Sequence, residues 1–139
     1  MRFWDSSALV PLCLDQPNSA AMKALLTEDR SMAVWWGSPV ECWSAFARLR
    51  REGGARIEDE EAARSLLSVL HETWTEVQPS EEVRTRAGRL LRIHPLRSAD
   101  ALQLAAALVW AGSPPRGEFV VFDHRLQEAG RLEGLTPRP

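Results

Sequence analysis

The chain has 139 residues, 45% of them hydrophobic and 26% charged, and a formal net charge of −2. That size and mixture suit one globular domain with a single core and exclude a disordered chain. The near-neutral charge excludes a general electrostatic grip on nucleic acid, and no apolar run approaches the ~20 residues needed to cross a bilayer.

Arg2–Trp4 reads as a short buried strand that runs straight into Asp5. A helix is expected from about Ser6 to Leu14, ended by the turn chemistry of Asp-Gln-Pro-Asn. Pro17 can open the next, with Ala20, Ala21, Ala24 and Leu25 as its apolar face. Met32 to Trp36 is an unbroken apolar run, short enough for a strand buried on both sides. Gly37-Ser38-Pro39-Val40-Glu41 is a helix start: Ser38 as N-cap, proline in the first turn, and Glu41 three residues on to close a capping box. Trp43, Phe46, Ala47 and Leu49 follow, and the helix ends in Arg48, Arg50 and Arg51 before Gly53-Gly54. Basic residues in a last turn complement the helix dipole. A further helix, about Glu58 to Glu72, turns Ala62, Leu66, Leu67 and Leu70 inward. Thr75–Val77 is a short third strand, and Ser80 opens a helix that His94-Pro95 stops after Ile93. Ser98 caps the most apolar helix of the chain, which runs to Trp110 and is apolar nearly all round, hence buried or covered by a partner. Past a Gly-Pro loop, Phe119–Phe122 forms a strand that runs into Asp123, a short helix reaches Gly130, and Leu135-Thr136 closes the pattern. Strands alternating with helices imply a parallel sheet covered on both faces.

Four acids stand where chemistry is placed in such a sheet. Asp5 and Asp123 end apolar strands, and the carboxyl ends of parallel strands lie on one edge. Glu41 and Asp100 stand near the starts of two helices that must begin at that edge. Singly, each has a structural role: Asp5 and Asp123 as N-caps, Glu41 in its capping box, Asp100 in a first turn where negative charge is favoured. Together, four carboxylates on one rim raise one another's pKa values unless a cation neutralises them. The set is all oxygen, with no nearby Cys or His, which suits Mg²⁺ or Mn²⁺ rather than zinc. Hydrolysis of phosphodiesters is the chemistry that matches.

These segments resemble the motifs of the PIN domain family, in particular the VapC-type toxin ribonucleases. The similarity lies in Asp5-Ser6-Ser7-Ala8-Leu9-Val10, in Val40-Glu41 with Ala45 to Arg51 and Gly53, in Ser98-Ala99-Asp100-Ala101-Leu102-Gln103-Leu104-Ala105-Ala106-Ala107, and in Val121-Phe122-Asp123-His124-Arg125-Leu126. They come in family order over nearly the whole chain, residues 1–139. The resemblance implies a single PIN-like domain, α/β in class, with a central parallel sheet of about five strands and helices on both faces. It implies a Mg²⁺- or Mn²⁺-dependent endoribonuclease in which Asp5, Asp100 and Asp123 hold metal and Glu41 helps bind it and orients or deprotonates the attacking water. Ser7 would support Asp5. It also implies a homodimer silenced by an antitoxin protein. One departure is Val121, where many relatives carry Thr or Ser two residues before the fourth acid.

Other residues say less. Arg48, Arg50, Arg51 and Arg97 are the candidates for RNA phosphate contacts, but only Lys23 of the 17 basic residues is a lysine, a bias that genome composition alone produces. Cys13 and Cys42 have no C-x-x-C partner and read as small buried side chains. His124 reads as a surface residue at a helix start, and His71 and His94 have no partner visible in the sequence. The tryptophans of the strand runs and apolar helices read as packing residues rather than base-stacking platforms. Two other acid-rimmed folds fail on a residue: a haloacid-dehalogenase-type phosphatase needs a second Asp where Ser7 stands, and a receiver domain needs a late lysine. An inactive PIN-like binding module and an RNA-processing nuclease without antitoxin remain as rival readings.

Overall fold

The computed structural model describes residues 1–139. Five strands, β1 (Arg2–Trp4), β2 (Met32–Trp35), β3 (Thr75–Val77), β4 (Glu118–Val120) and β5 (Thr136–Arg138), form one parallel sheet in the order β3-β2-β1-β4-β5. Seven helices connect them: α1 (Ser6–Cys13), α2 (Ser19–Glu28), α3 (Ser38–Arg51), α4 (Ile57–His71), α5 (Glu81–Ile93), α6 (Ser98–Ala111) and α7 (His124–Leu132).

Alternation along three-residue and four-residue strands divides the core in two. Phe3, Ala33, Trp35 and Phe119 face one side, where they pack with Val83, Leu90, Leu104, Leu108 and Leu126 from α5, α6 and α7. Trp4, Met32, Val34 and Val120 face the other, against Leu9, Met22, Phe46 and Leu67 from α1 to α4. The single core expected from chain length is therefore two cores, one on each face of the sheet. Burial on both faces explains the apolar runs of the inner strands β1, β2 and β4, while the edge strands β3 (Thr-Glu-Val) and β5 (Thr-Pro-Arg) are polar and partly exposed.

The chain steps outward from β1 to β2 and β3 with its helices on one face, then crosses back to β4 and β5 with its helices on the other. Right-handed crossovers give this arrangement when the direction of winding reverses. The reversal falls between β1 and β4, which pair with Phe3 opposite Phe119 and Trp4 opposite Val120. A crevice opens at that point beyond the strand ends.

Three packing expectations are corrected. On α2 the buried apolar residues are Met22 and Leu25, with Ala20, Ala21 and Ala24 exposed. On α4 they are Ala63 and Leu67, while Ala62 and Leu66 face outward. Trp36 lies beyond the end of β2 and is 52% exposed, and Trp43 is 37% exposed beneath the Arg64 guanidinium, 4.7 Å from the ring centroid. The other strand tryptophans, Trp4 and Trp35, are buried as expected. His71 and His94 do have partners, Glu76 and Glu133. Both cysteines are free and buried.

Candidate active site

Asp5 follows β1 directly and is 3% exposed. Its N–H donates to the Val120 carbonyl at 3.0 Å, which extends the β1–β4 ladder by one bond and pins the residue at the switch point. As N-cap of α1 its carboxylate accepts from the Ser7 N–H at 3.0 Å and from the Ser7 hydroxyl. The same Ser7 oxygen accepts from the Phe122 N–H at 3.0 Å, so one side chain joins the first acid to the segment leading to the fourth.

Asp123 caps α7 by accepting from the Leu126 N–H at 2.9 Å, and is exposed. Val121, the departure from the family pattern, is buried in the core, and the chain beside it is held by Ser7 and by the Gln127 amide, which donates to the Val121 carbonyl at 2.7 Å. Asp100, in the first turn of α6, accepts from the Arg97 N–H at 3.3 Å. Neither Ser38 nor Ser98 is an N-cap: both are the first residues of their helices, and Gly37 and Arg97 hold the cap positions.

Glu41 departs furthest from expectation. The Ser38–Glu41 capping box does not form, because Ser38 is fully buried and its hydroxyl accepts from the Gln103 amide at 2.8 Å. Glu41 turns to the crevice instead, where one carboxylate oxygen accepts from Gln103 Nε2 at 2.7 Å and the other from Ser6 Oγ at 3.3 Å. Gln103 had no role in the sequence reading. The available signal was its place as the single polar residue between Ala101 and Ala111.

All four acids line one cleft of about 580 Å³, together with Ser6, Ser7, Ser44 and Arg48. Of the four arginines considered, only Arg48 is among its walls. Arg50 is held by Glu60 of α4, its Nε 3.1 Å from both carboxylate oxygens, while Arg51 and Arg97 are exposed and outside the cleft lining. His124 is exposed at the start of α7.

The cleft is electrostatically unbalanced. Burial pushes the Asp5 carboxyl up to about 6, and Asp100 adds to the rise against the Ser7 hydrogen bonds. Burial and then the neighbouring Asp5 push Glu41 up to about 7, against the bonds from Gln103 and Ser6. Carboxyls held up in this way mark a place where negative charge lacks a counter-charge. The donors facing it are carboxylate and hydroxyl oxygens, which fit a hard divalent cation. No three acids already converge as a ligand cage. Asp5, Asp100 and Asp123 each have an oxygen engaged at a helix start, and Glu41 has both oxygens bonded.

The chain belongs to the PIN domain family, whose model matches residues 2–132. It is 31% identical to ribonuclease VapC45 of Mycobacterium tuberculosis over 133 residues, 87% of this chain and 91% of that protein. Among solved structures, its fold is similar to that of Mycobacterium tuberculosis VapC20, a sarcin–ricin loop cleaving toxin, with a TM-score of 0.71, 17% identity and coverage of 94% of this chain and 95% of the other. It is also similar to a chain of VapBC2 from Rickettsia felis, a complex solved on a DNA fragment from its promoter, with a TM-score of 0.66, 14% identity and coverage of 99% and 96%.

Proposed function

We propose that this chain is a divalent-metal-dependent endoribonuclease, one nuclease domain over residues 1–139, acting as the toxin of a type II toxin–antitoxin pair. The observation that carries the reading is the gathering of Asp5, Glu41, Asp100 and Asp123 around one cleft at the switch point of the sheet. Membership of the PIN domain family and the likeness to VapC ribonucleases support the substrate class. The fit of an all-oxygen donor set supports Mg²⁺ or Mn²⁺.

Asp5, Asp100 and Asp123 would hold the cation with help from Glu41, and Ser7 would fix Asp5. When bound, a divalent cation activates water and stabilises charge on a phosphate. Glu41 orients the attacking water and accepts its proton. The water oxygen forms a bond to phosphorus while the bond from phosphorus to the leaving sugar oxygen breaks, and that oxygen takes a proton from solvent to leave as a hydroxyl. Arg48 lines the cleft, and its guanidinium would meet a phosphate of the bound RNA. An antitoxin protein that covers this cleft, and a homodimer, complete the proposal. The likeness to the VapBC2 assembly supports the first.

The test is cleavage of total cellular RNA by purified, antitoxin-free protein with Mg²⁺, with Mn²⁺ and with excess chelator, beside Asp5→Asn. Fragments that require the metal and vanish in the variant are expected. Fragments retained in the variant would sink the site assignment, and no cleavage by a folded sample would favour a PIN-like binding module.

A further inference from the structure

We propose that Gln103 is a positioning residue whose buried carboxamide, anchored on Ser38, holds the Glu41 carboxylate toward the cleft. The inference rests on the reading of the cleft given above. Gln103 is fully buried and stands one helical turn beyond Asp100 on α6. Its Nε2 donates to two oxygens on α3, Glu41 Oε2 at 2.7 Å and Ser38 Oγ at 2.8 Å. Ser6, next to Asp5, donates to the other Glu41 oxygen. The Glu41 carboxylate is thereby tied at both oxygens to the two elements that carry Asp5 and Asp100.

The other half of the carboxamide shows what the arrangement is for. Gln103 Oε1 is buried and has no hydrogen-bond partner. An unpartnered buried oxygen destabilises a fold, and such groups in native structures call for a reason. The flanking helix is apolar, with Ala101 and Leu104 to Leu108 all in the core, so packing alone would be met by a Leu or Met here. Turning the amide over would set its oxygen 2.7 Å from a carboxylate oxygen, acceptor against acceptor. Only a donor aimed at Glu41 fits. With its rotamer fixed from both sides, Glu41 meets substrate without reorganising, the condition for efficient orientation of a reacting water.

The experiment is a double-mutant cycle between Gln103→Met and Glu41→Gln, with Asp5→Asn as control. It reads kcat and KM on the cleaved RNA and the melting-temperature rise caused by Mn²⁺, which needs no turnover. We expect Gln103→Met to lower kcat about tenfold or more with KM within about twofold of wild type, and to reduce the Mn²⁺ shift. In the Glu41→Gln background it should cost nothing further in either readout, since residues acting through one another are not additive. Equal losses in both backgrounds, or a Gln103→Met protein indistinguishable from wild type, overturn the inference while an inactive Asp5→Asn leaves the cleft reading standing. A wild-type protein without metal-dependent cleavage overturns both. If Gln103→Met fails to fold, Ser38→Ala removes the second anchor instead. A smaller fall in kcat that disappears with Glu41→Gln supports the inference, and a fall of equal size in both backgrounds overturns it.

Discussion

The Ser7 hydroxyl donates to Asp5 and accepts from the Phe122 N–H, so its removal acts on both sides of the switch point. Ser7→Ala leaves the Phe122 N–H unpaired and Asp5 with one fewer donor, an expected cost of about 1–2 kcal/mol in denaturant melts alongside weaker cleavage. Unchanged stability would mean that solvent replaces the hydroxyl. Asp5 itself gives a pH signature. Its folded pKa is about 6 against an ordinary 3.8. Between these values the folded chain binds more protons than the unfolded one, so this group's contribution to stability falls as pH rises through the window and is flat above it. Asp5→Asn retains an oxygen for the Ser7 donors and carries no charge. With chelator present, wild type should lose roughly 3 kcal/mol relative to the variant between about pH 4 and pH 7, part of it through Glu41, whose carboxyl the Asp5 charge also raises. A difference that does not vary with pH would show that Asp5 is not charged against its surroundings. The four acids were legible because each follows a strand or opens a helix. The turn of Glu41 away from Ser38 was not, since a capping box and a carboxylate held by another helix look alike in one segment of sequence.

Between elements, α7 packs closely on β4. A Cβ at Gly130 would lie 2.9 Å from Phe119 Cδ1, inside contact distance of a fully buried ring. Gly130→Ala should therefore lift α7, with Asp123 at its start, and cost about 1–3 kcal/mol despite the better helix propensity of alanine. Thermal melts showing a gain in stability would contradict that packing. The inner strands and the helices were readable, through short apolar runs between turn signals and caps such as Ser80, whose hydroxyl accepts from the Val83 N–H, whereas the edge strands β3 and β5, Thr-Glu-Val and Thr-Pro-Arg, carry no such run. Which face of a helix turns inward was less so. On α2 and α4, neighbouring alanines and leucines allow two phases one residue apart. The choice fell to Met22 and Leu25, and to Ala63 and Leu67, through contacts with distant segments. Trp36 was read as part of the buried run but falls one residue past the end of β2.

At the scale of the whole molecule, the alternation of strands and helices was enough to foresee a parallel sheet with two covered faces, and the resemblance supplied its five strands. The order β3-β2-β1-β4-β5 puts the segment nearest the amino terminus in the centre of the sheet. During synthesis, β1 can pair with β2 once residue 35 has emerged, but its other edge waits for β4 at residues 118–120. Asp5 makes its bond to Val120 only then, and Asp123 follows. A ribosome-bound chain shorter than this holds three of its four acids on an unfinished sheet with an open edge. The harmful activity proposed for this protein would thus be withheld from any nascent chain in which β4 has not yet closed on β1 and residues up to Asp123 have not emerged.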